Sequence, residues 1–119
     1  MKLTQKEQER VLMFNIAEMS RRRWKRGLKL NYIEAMSIIC DELLERARAG
    51  ACTMAELIEL GSSIITEEDV MEGTPALMPC IQFEVMLPDG NKLVTIQDPI
   101  RLETREEAVP VEELISMNY

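Results

Sequence analysis

The sequence contains no histidine, so this chain alone cannot provide an imidazole metal ligand, a histidine general base or a serine–histidine triad. Its three cysteines, Cys40, Cys52 and Cys80, form no CxxC pair, which argues against a zinc site and a thioredoxin-like motif. The odd cysteine count and the absence of a signal-like N-terminus predict reduced thiols in a cytoplasmic protein. No apolar run is long enough to span a membrane. These absences argue against a self-contained enzyme.

The composition favours one small folded domain with an uneven charge distribution. The 119 residues are 46% hydrophobic and carry a formal net charge of −7. Residues 1–29 hold nine basic and three acidic side chains (+6), whereas residues 30–119 hold five basic and eighteen acidic ones (−13). This asymmetry predicts docking against another protein rather than binding of a polyanion across the whole surface.

Three helix starts carry a capping box, in which a side-chain oxygen and a glutamate three residues later satisfy free N–H groups. The boxes begin at Thr4, Asn31 and Thr53, and they predict helices over 5–25, 32–49 and 54–60. A further short turn of helix is expected at 66–69. The first helix has an apolar stripe, and the second has a predicted inward face. The stripe is Val11, Leu12, Ile16, Ala17 and Met19; the inward face is Tyr32, Ala35, Met36, Ile39, Leu43 and Ala47.

After Pro79 the hydrophobic period changes from 3.6 to 2. Apolar residues alternate with polar ones over 81–87, which predicts a strand, and 93–96 is the expected return strand after a turn at 88–91. The fold class predicted is therefore α+β, a small bundle of three to four helices with a C-terminal β-hairpin. Because an isolated hairpin is marginally stable, it must lie on the helices or extend a partner's sheet. Residues 101–119 are acidic and polar and are predicted to be a flexible tail or linker that orders on contact.

Several blocks in order resemble the urease gamma subunit family over residues 1–100. They are MKLT at 1–4, RGLKLNYIEA at 26–35, DVMEG at 69–73, LPDG at 87–90, KLVT at 92–95 and DPI at 98–100. The resemblance implies a cytoplasmic, non-catalytic subunit of an enzyme that hydrolyses urea to ammonia and carbamate. It also implies partners, the urease alpha and beta chains, in a trimer of heterotrimers. The two nickel ions are then expected in the alpha chain, with no cofactor, metal ligand or catalytic residue in this one.

Two features depart from the family pattern. Gln97 stands where the family usually has a histidine that is not a metal ligand, which predicts an altered contact rather than a lost activity. The tail at 101–119 extends beyond a bacterial gamma chain but is too short for a beta domain. Both departures leave open a stand-alone interaction module that kept the fold without urease activity.

The basic end of the first helix, residues 21–26, permits two interpretations. Its arginines with Trp24 could contact phosphates and stack on a base, but the net negative charge favours pairing with acidic groups of a partner subunit. The carboxylates at 67–72 could bind a metal, although they lack the spacing of a calcium loop.

The candidate subunit-interface residues are Lys2, Thr4, Arg22, Arg23, Arg26, Asn31, Ile81, Phe83, Val94 and Ile96.

Overall fold

The structure is a computed structural model that describes residues 1–50 and 52–114. Over these residues the chain forms three α-helices followed by one antiparallel β-hairpin, which confirms the α+β prediction. The elements are α1 (Gln5–Lys25), α2 (Tyr32–Arg48), α3 (Met54–Gly61), β1 (Cys80–Leu87) and β2 (Gly90–Gln97).

The three predicted capping boxes are present and start the helices where the sequence places them. In α1, the Thr4 hydroxyl accepts from the Glu7 backbone N–H at 3.1 Å, and the Glu7 carboxylate accepts from the Thr4 N–H at 2.8 Å. Asn31 and Thr53 begin α2 and α3 in the same way. Helix α1 ends before Gly27. The φ angle of Gly27 is +84°, a left-handed conformation that residues with a side chain rarely adopt. α2 ends one residue earlier than predicted and α3 one residue later.

The hairpin places alternate side chains of both strands against the helices. Ile81 pairs with Ile96 and Phe83 with Val94, and the turn between the strands is only Pro88 and Asp89. The return strand starts at Gly90, three residues before the predicted start. The first residues of this strand are polar, so the hydrophobic pattern did not predict them as strand. They pair all the same, because backbone pairing does not require apolar residues.

The hydrophobic core lies between α2, the hairpin and α3. Ile38, Ile39 and Leu43 of α2 are fully buried within it. The prediction that Tyr32 faces inward is wrong, since its side chain is 41% exposed. Leu30, two residues earlier, occupies the core at this end of α2 and is fully buried.

Residues 101–114 pack on the domain, contrary to the flexible arm predicted from their composition. The Leu102 carbonyl accepts from the Glu67 N–H at 2.9 Å, and the Ser63 carbonyl accepts from the Val109 N–H at 2.9 Å. Leu114 is fully buried in the core. A few apolar side chains and backbone hydrogen bonds therefore anchor a segment whose average composition is polar. The rest of the predicted tail, 115–119, lies outside the described residues.

Candidate subunit interface

The outward face of α1 carries apolar side chains that nothing in the described part of the chain covers. Val11, Leu12 and Met19 are 48%, 59% and 46% exposed, and Phe14 beside them is also exposed. Of the stripe predicted from the sequence, only Ala17 is buried, and Ile16 is half-buried. A contiguous exposed apolar face of this kind is typical of a surface that another protein covers.

The inner side of α1 is held by ion pairs to α2 and by apolar side chains, of which Ala17 is fully buried and Met13 and Trp24 pack against the core. The Arg21 guanidinium pairs with the Asp41 carboxylate at 2.9 Å, and both side chains are about 1% exposed. Arg10 also pairs with Asp41 at 2.8 Å and with Glu45 at 2.6 Å. The side of α1 that faces the domain thus combines buried ion pairs with apolar contacts, and the side that faces out mixes exposed apolar side chains with polar ones such as Asn15 and Arg22.

The basic end of α1 has one buried arginine and several exposed basic side chains. Arg21 is buried, whereas Arg23 is 45% exposed and forms an ion pair with Glu34 at the start of α2. Arg22, Lys25 and Arg26 are exposed, and with Met19 and Arg23 they line a hollow of about 440 Å³. Three cations therefore border the apolar face at one end, and a covering surface would need carboxylates there.

Trp24, considered from the sequence for stacking on a base, is engaged inside the protein. Its indole N–H donates to the Asp69 carboxylate at 3.1 Å, and the Arg105 guanidinium lies 5.2 Å from the ring centroid. The side chain is half-buried. These contacts give Trp24 a structural role at the junction of α1 and the segment 66–69.

The remaining interface candidates fall into three groups. Thr4 and Asn31 are helix caps, so their side-chain oxygens are already engaged. Ile81, Val94 and Ile96 are at most 3% exposed, because the hairpin turns them into the chain's own core. Lys2 is exposed and Phe83 is half-buried. The sequence analysis did not include Phe14 among the interface candidates and did not predict that Val11 and Leu12 point outward. The positions of Arg10 and Arg21 on the opposite face of α1 could have indicated that orientation.

The acidic side chains at 67–72 do not converge into a cluster. Glu67 and Glu68 are exposed, and Asp69 accepts hydrogen bonds from Thr66, Trp24 and Arg105. Within 1–50 and 52–114, no group of three or more cysteine, aspartate or glutamate side chains could hold a metal ion. In the same residues, no helix is both long and apolar enough to cross a bilayer.

The comparison with protein-family models finds a match to "Urease, gamma subunit" over residues 1–100. The chain belongs to the urease gamma subunit family. It is also similar to the protein named "Urease subunit gamma" from Natronomonas pharaonis. The two are 50% identical over 107 residues, which cover 90% of this chain and 97% of that relative.

Two features of this gamma-family chain lie where the sequence departs from the family pattern. Gln97 is the last residue of β2, pairs with Cys80 across the hairpin and has an exposed side chain. Its backbone carbonyl accepts a hydrogen bond from Arg101. The family match ends at residue 100, and residues 101–114 continue directly into the packed segment described above.

Proposed function

We propose that this chain is a non-catalytic structural subunit of a nickel-dependent urease, the enzyme that hydrolyses urea to ammonia and carbamate. Membership of the gamma family supports a place in the complex. The observation that carries the structural role is the apolar face of α1, with Val11, Leu12 and Met19 exposed beside Arg22 and Arg26. Covering that face would remove apolar surface from water at about 25 cal/mol per Å².

The partners in this proposal are the urease alpha and beta chains, three of each with three gamma chains. The surface that covers α1 would present apolar side chains bordered by carboxylates opposite Arg22, Lys25 and Arg26. Such complementarity fixes orientation and speeds association more than it adds affinity. The complex is proposed to be cytoplasmic.

The two nickel ions are proposed to lie in the alpha chain. Nickel sites in proteins favour imidazole nitrogen among their ligands, and this chain contains no histidine. Its described acidic and cysteine side chains form no group of three or more that could hold a metal ion either. The contribution of this chain is therefore mechanical: it supports the partner that carries the chemistry, as outer supporting groups do for a precisely positioned site.

The proposed interface keeps the members of the predicted set that are neither buried in the core nor engaged in a helix cap or an ion pair with α2, and it adds the outward face of α1. Lys2, Arg22 and Arg26 remain candidates because their side chains reach solvent, and Phe83 is half-buried. Arg23, Thr4 and Asn31 are proposed to shape the interface by fixing the helices rather than by direct contact. Residues 1–100 are proposed as the gamma domain, with the following segment as an extension packed on it.

The test is purification of the tagged full-length chain from its own cell extract, with co-eluting proteins, nickel content and urea hydrolysis measured on one fraction. The wild-type chain should retain a large histidine-rich partner together with nickel and urease activity. Leu12→Asp places a charge at the centre of the apolar face and should reduce partner recovery at least roughly tenfold. Leu77→Asp is the matched control, because Leu77 is a similarly exposed leucine, 64% against 59%, that belongs to a short turn of helix before β1 and not to α1.

The outcomes test the urease subunit role and the α1 interface separately. Recovery of the wild-type chain alone, without nickel or urease activity, would refute the subunit role and support a stand-alone gamma-like module. Retention of the partner by Leu12→Asp, or its loss from Leu77→Asp alone, would refute the α1 surface but not the subunit role. Binding to DNA or RNA that collapses as salt rises would favour the nucleic-acid alternative.

A further inference from the structure

Arg105 is the main side-chain link between the segment after residue 100 and the rest of the domain. Its guanidinium donates to the Ile64 carbonyl at 2.6 Å, to the Asp69 carboxylate at 3.0 Å and to the Val109 carbonyl at 2.8 Å. Its backbone N–H donates to the Glu68 carboxylate at 2.9 Å. One side chain therefore connects two parts of the C-terminal segment to the loop that follows α3.

Asp69 joins this link to the end of α1. One carboxylate oxygen accepts from the Trp24 indole at 3.1 Å, and the other accepts from Arg105 and from the Thr66 N–H and hydroxyl, each of the last two at 2.8 Å. Asp69 is only 7% exposed. Its carbonyl also accepts from the Leu30 N–H at 2.9 Å, which fixes the chain between α1 and α2.

The guanidinium of Arg105 also contacts Trp24 directly. It lies 5.2 Å from the ring centroid, within the range of a cation–π interaction. Trp24, Asp69 and Arg105 thus form a closed triangle of contacts between three chain segments. A lysine could not reproduce it, because the planar fork of arginine is needed to reach several acceptors at once.

The remainder of the segment closes over the far ends of α2 and α3. The Arg46 guanidinium donates to the Glu113 carbonyl at 2.7 Å, and the Ser63 carbonyl accepts from the Val109 N–H. The side chains of Ala108 and Leu114, which belong to this segment, are buried. Residues 101–114, named the strap here, therefore have anchors at both ends and one at the centre.

We propose that Arg105 is a positioning residue that locks the strap onto Trp24 and Asp69, so that the strap and the basic end of α1 order and loosen together. The proposal goes beyond the subunit role, because it concerns the isolated chain and requires no partner. By linkage, anything that holds the basic end of α1 in place also favours the closed strap, and the closed strap in turn favours that binding. The strap is thus a conformational device that stabilises one end of the proposed docking surface.

The experiment uses the full-length chain without any partner. Trp24 is the only tryptophan, so its fluorescence reports on this triangle alone. Arg105→Ala should increase acrylamide quenching of Trp24 and should speed cleavage by a glutamate-specific protease within 103–107 roughly tenfold, since several bonds to a charged group are lost. Arg105→Lys should give an intermediate result, and it replaces Arg105→Ala if that variant does not fold.

A reciprocal variant and a matched control distinguish coupling from local damage. Trp24→Phe keeps an aromatic ring, although a smaller one, and removes the N–H donor to Asp69, so it should also speed cleavage of the strap several-fold. Arg101→Ala removes an exposed arginine of the same strap, whose side chain donates hydrogen bonds to the backbone carbonyls of Gln97 and Asp98. It should leave Trp24 quenching unchanged. Unchanged quenching in Arg105→Ala, or unchanged cleavage in Trp24→Phe, would overturn the proposal and leave the subunit role untouched.

Discussion

At the scale of single residues, the charges between α1 and α2 carry more of the structure than the composition suggests. The Asp41 carboxylate forms ion pairs with both Arg10 and Arg21 in a site from which water is almost excluded. Burying such a network does not by itself add much stability, but removing one partner leaves charge without compensation. The network therefore fixes how α1 sits on α2, and with it which face of α1 points outward.

The Asp41 carboxylate provides the first prediction. Asp41→Asn preserves the shape of the side chain but leaves two guanidinium groups facing a neutral amide. We expect the free energy of unfolding to fall by about 3 kcal/mol, measured by urea denaturation. Asp89→Asn is the control: its exposed ion pair with Lys92 at 3.5 Å should contribute less than about 1 kcal/mol. Equal effects of the two variants would contradict the buried network.

Burial also changes the chemistry of Cys40. Desolvation, with the nearby Asp41 charge adding to it, raises the pKa of the Cys40 thiol to about 12 from an ordinary value of 9.0. A raised pKa favours folding while the thiol is neutral, so this contribution is present below about pH 9 and is lost as the pH rises toward 12. Cys80, by contrast, is exposed.

The second prediction follows from that difference. At pH 8 a thiol reagent should modify Cys80 rapidly in the folded chain and Cys40 only after denaturation, as measured by mass spectrometry of labelled peptides. In Cys40→Ala, the fall in unfolding free energy between pH 9 and pH 11 should be smaller than in the wild-type chain. Rapid labelling of Cys40 without unfolding would show that its burial is incomplete.

At the scale of elements, the three capping boxes explain why the helix starts were predicted correctly. A cap depends on neighbouring residues only, so it is visible in sequence and is formed by local hydrogen bonds. In α2 the side-chain Oδ1 of Asn31 accepts from the Glu34 backbone N–H at 2.9 Å, and the Glu34 carboxylate accepts from the Asn31 backbone N–H at 2.9 Å. The same Glu34 then pairs with Arg23 of α1, which couples the cap to the neighbouring helix.

The third prediction tests this cap. Asn31→Ala should lower the free energy of unfolding by about 1 kcal/mol, whereas Asn31→Asp, which keeps the acceptor, should change it by a few tenths of a kcal/mol. Thermal and urea unfolding monitored by circular dichroism would measure both. An equal loss in the two variants would mean that the amide group acts in some way other than capping.

The α1 stripe shows where element-level inference from sequence fails. Apolar residues at helical spacing predict a buried face, yet Val11, Leu12 and Met19 point outward. The side of α1 that faces the domain is instead chosen by the ion pairs of Arg10 and Arg21. Periodicity identifies one side of a helix but does not say whether the chain itself or a partner covers it.

At the scale of the whole molecule, the end of the strap shares a hydrophobic core with the helices and the hairpin. Leu114 is far along the chain from α2 but is fully buried in the same core cluster as Ile39 and Leu43. Backbone bonds from Glu67 to Leu102 and from Val109 to Ser63 close the intervening loop. The end of the strap around Leu114 is therefore expected to unfold together with the helices and hairpin, whereas the part around Arg105 can open by itself.

The fourth prediction is that Leu114→Ala destabilises the entire domain by about 2–4 kcal/mol, as a large-to-small substitution in a core does. Leu93→Ala is the control, since Leu93 is 61% exposed on the outer face of the hairpin and should change stability by less than about 0.5 kcal/mol. Hydrogen exchange should show α2 and residues 111–114 opening together in the wild-type chain. In Leu114→Ala, loss of protection at 111–114 alone, with the unfolding midpoint unchanged, would contradict a role of Leu114 in the shared core.

The sequence by itself determined the features that depend on short-range interactions or on ordered motifs. These are the three capped helices, the hairpin with its alternating faces, the family and the lack of histidine chemistry. Each depends on residues a few positions apart or on blocks read in order.

Only the tertiary structure decided which face of α1 is free, that Ile81, Val94 and Ile96 belong to the core, and that the acidic segment 101–114 is anchored. Those outcomes depend on pairs such as Arg21 with Asp41 and Trp24 with Arg105. Such partners meet only when distant segments are brought together by the core. Their energies therefore come from burial and long-range pairing, which local sequence patterns do not encode.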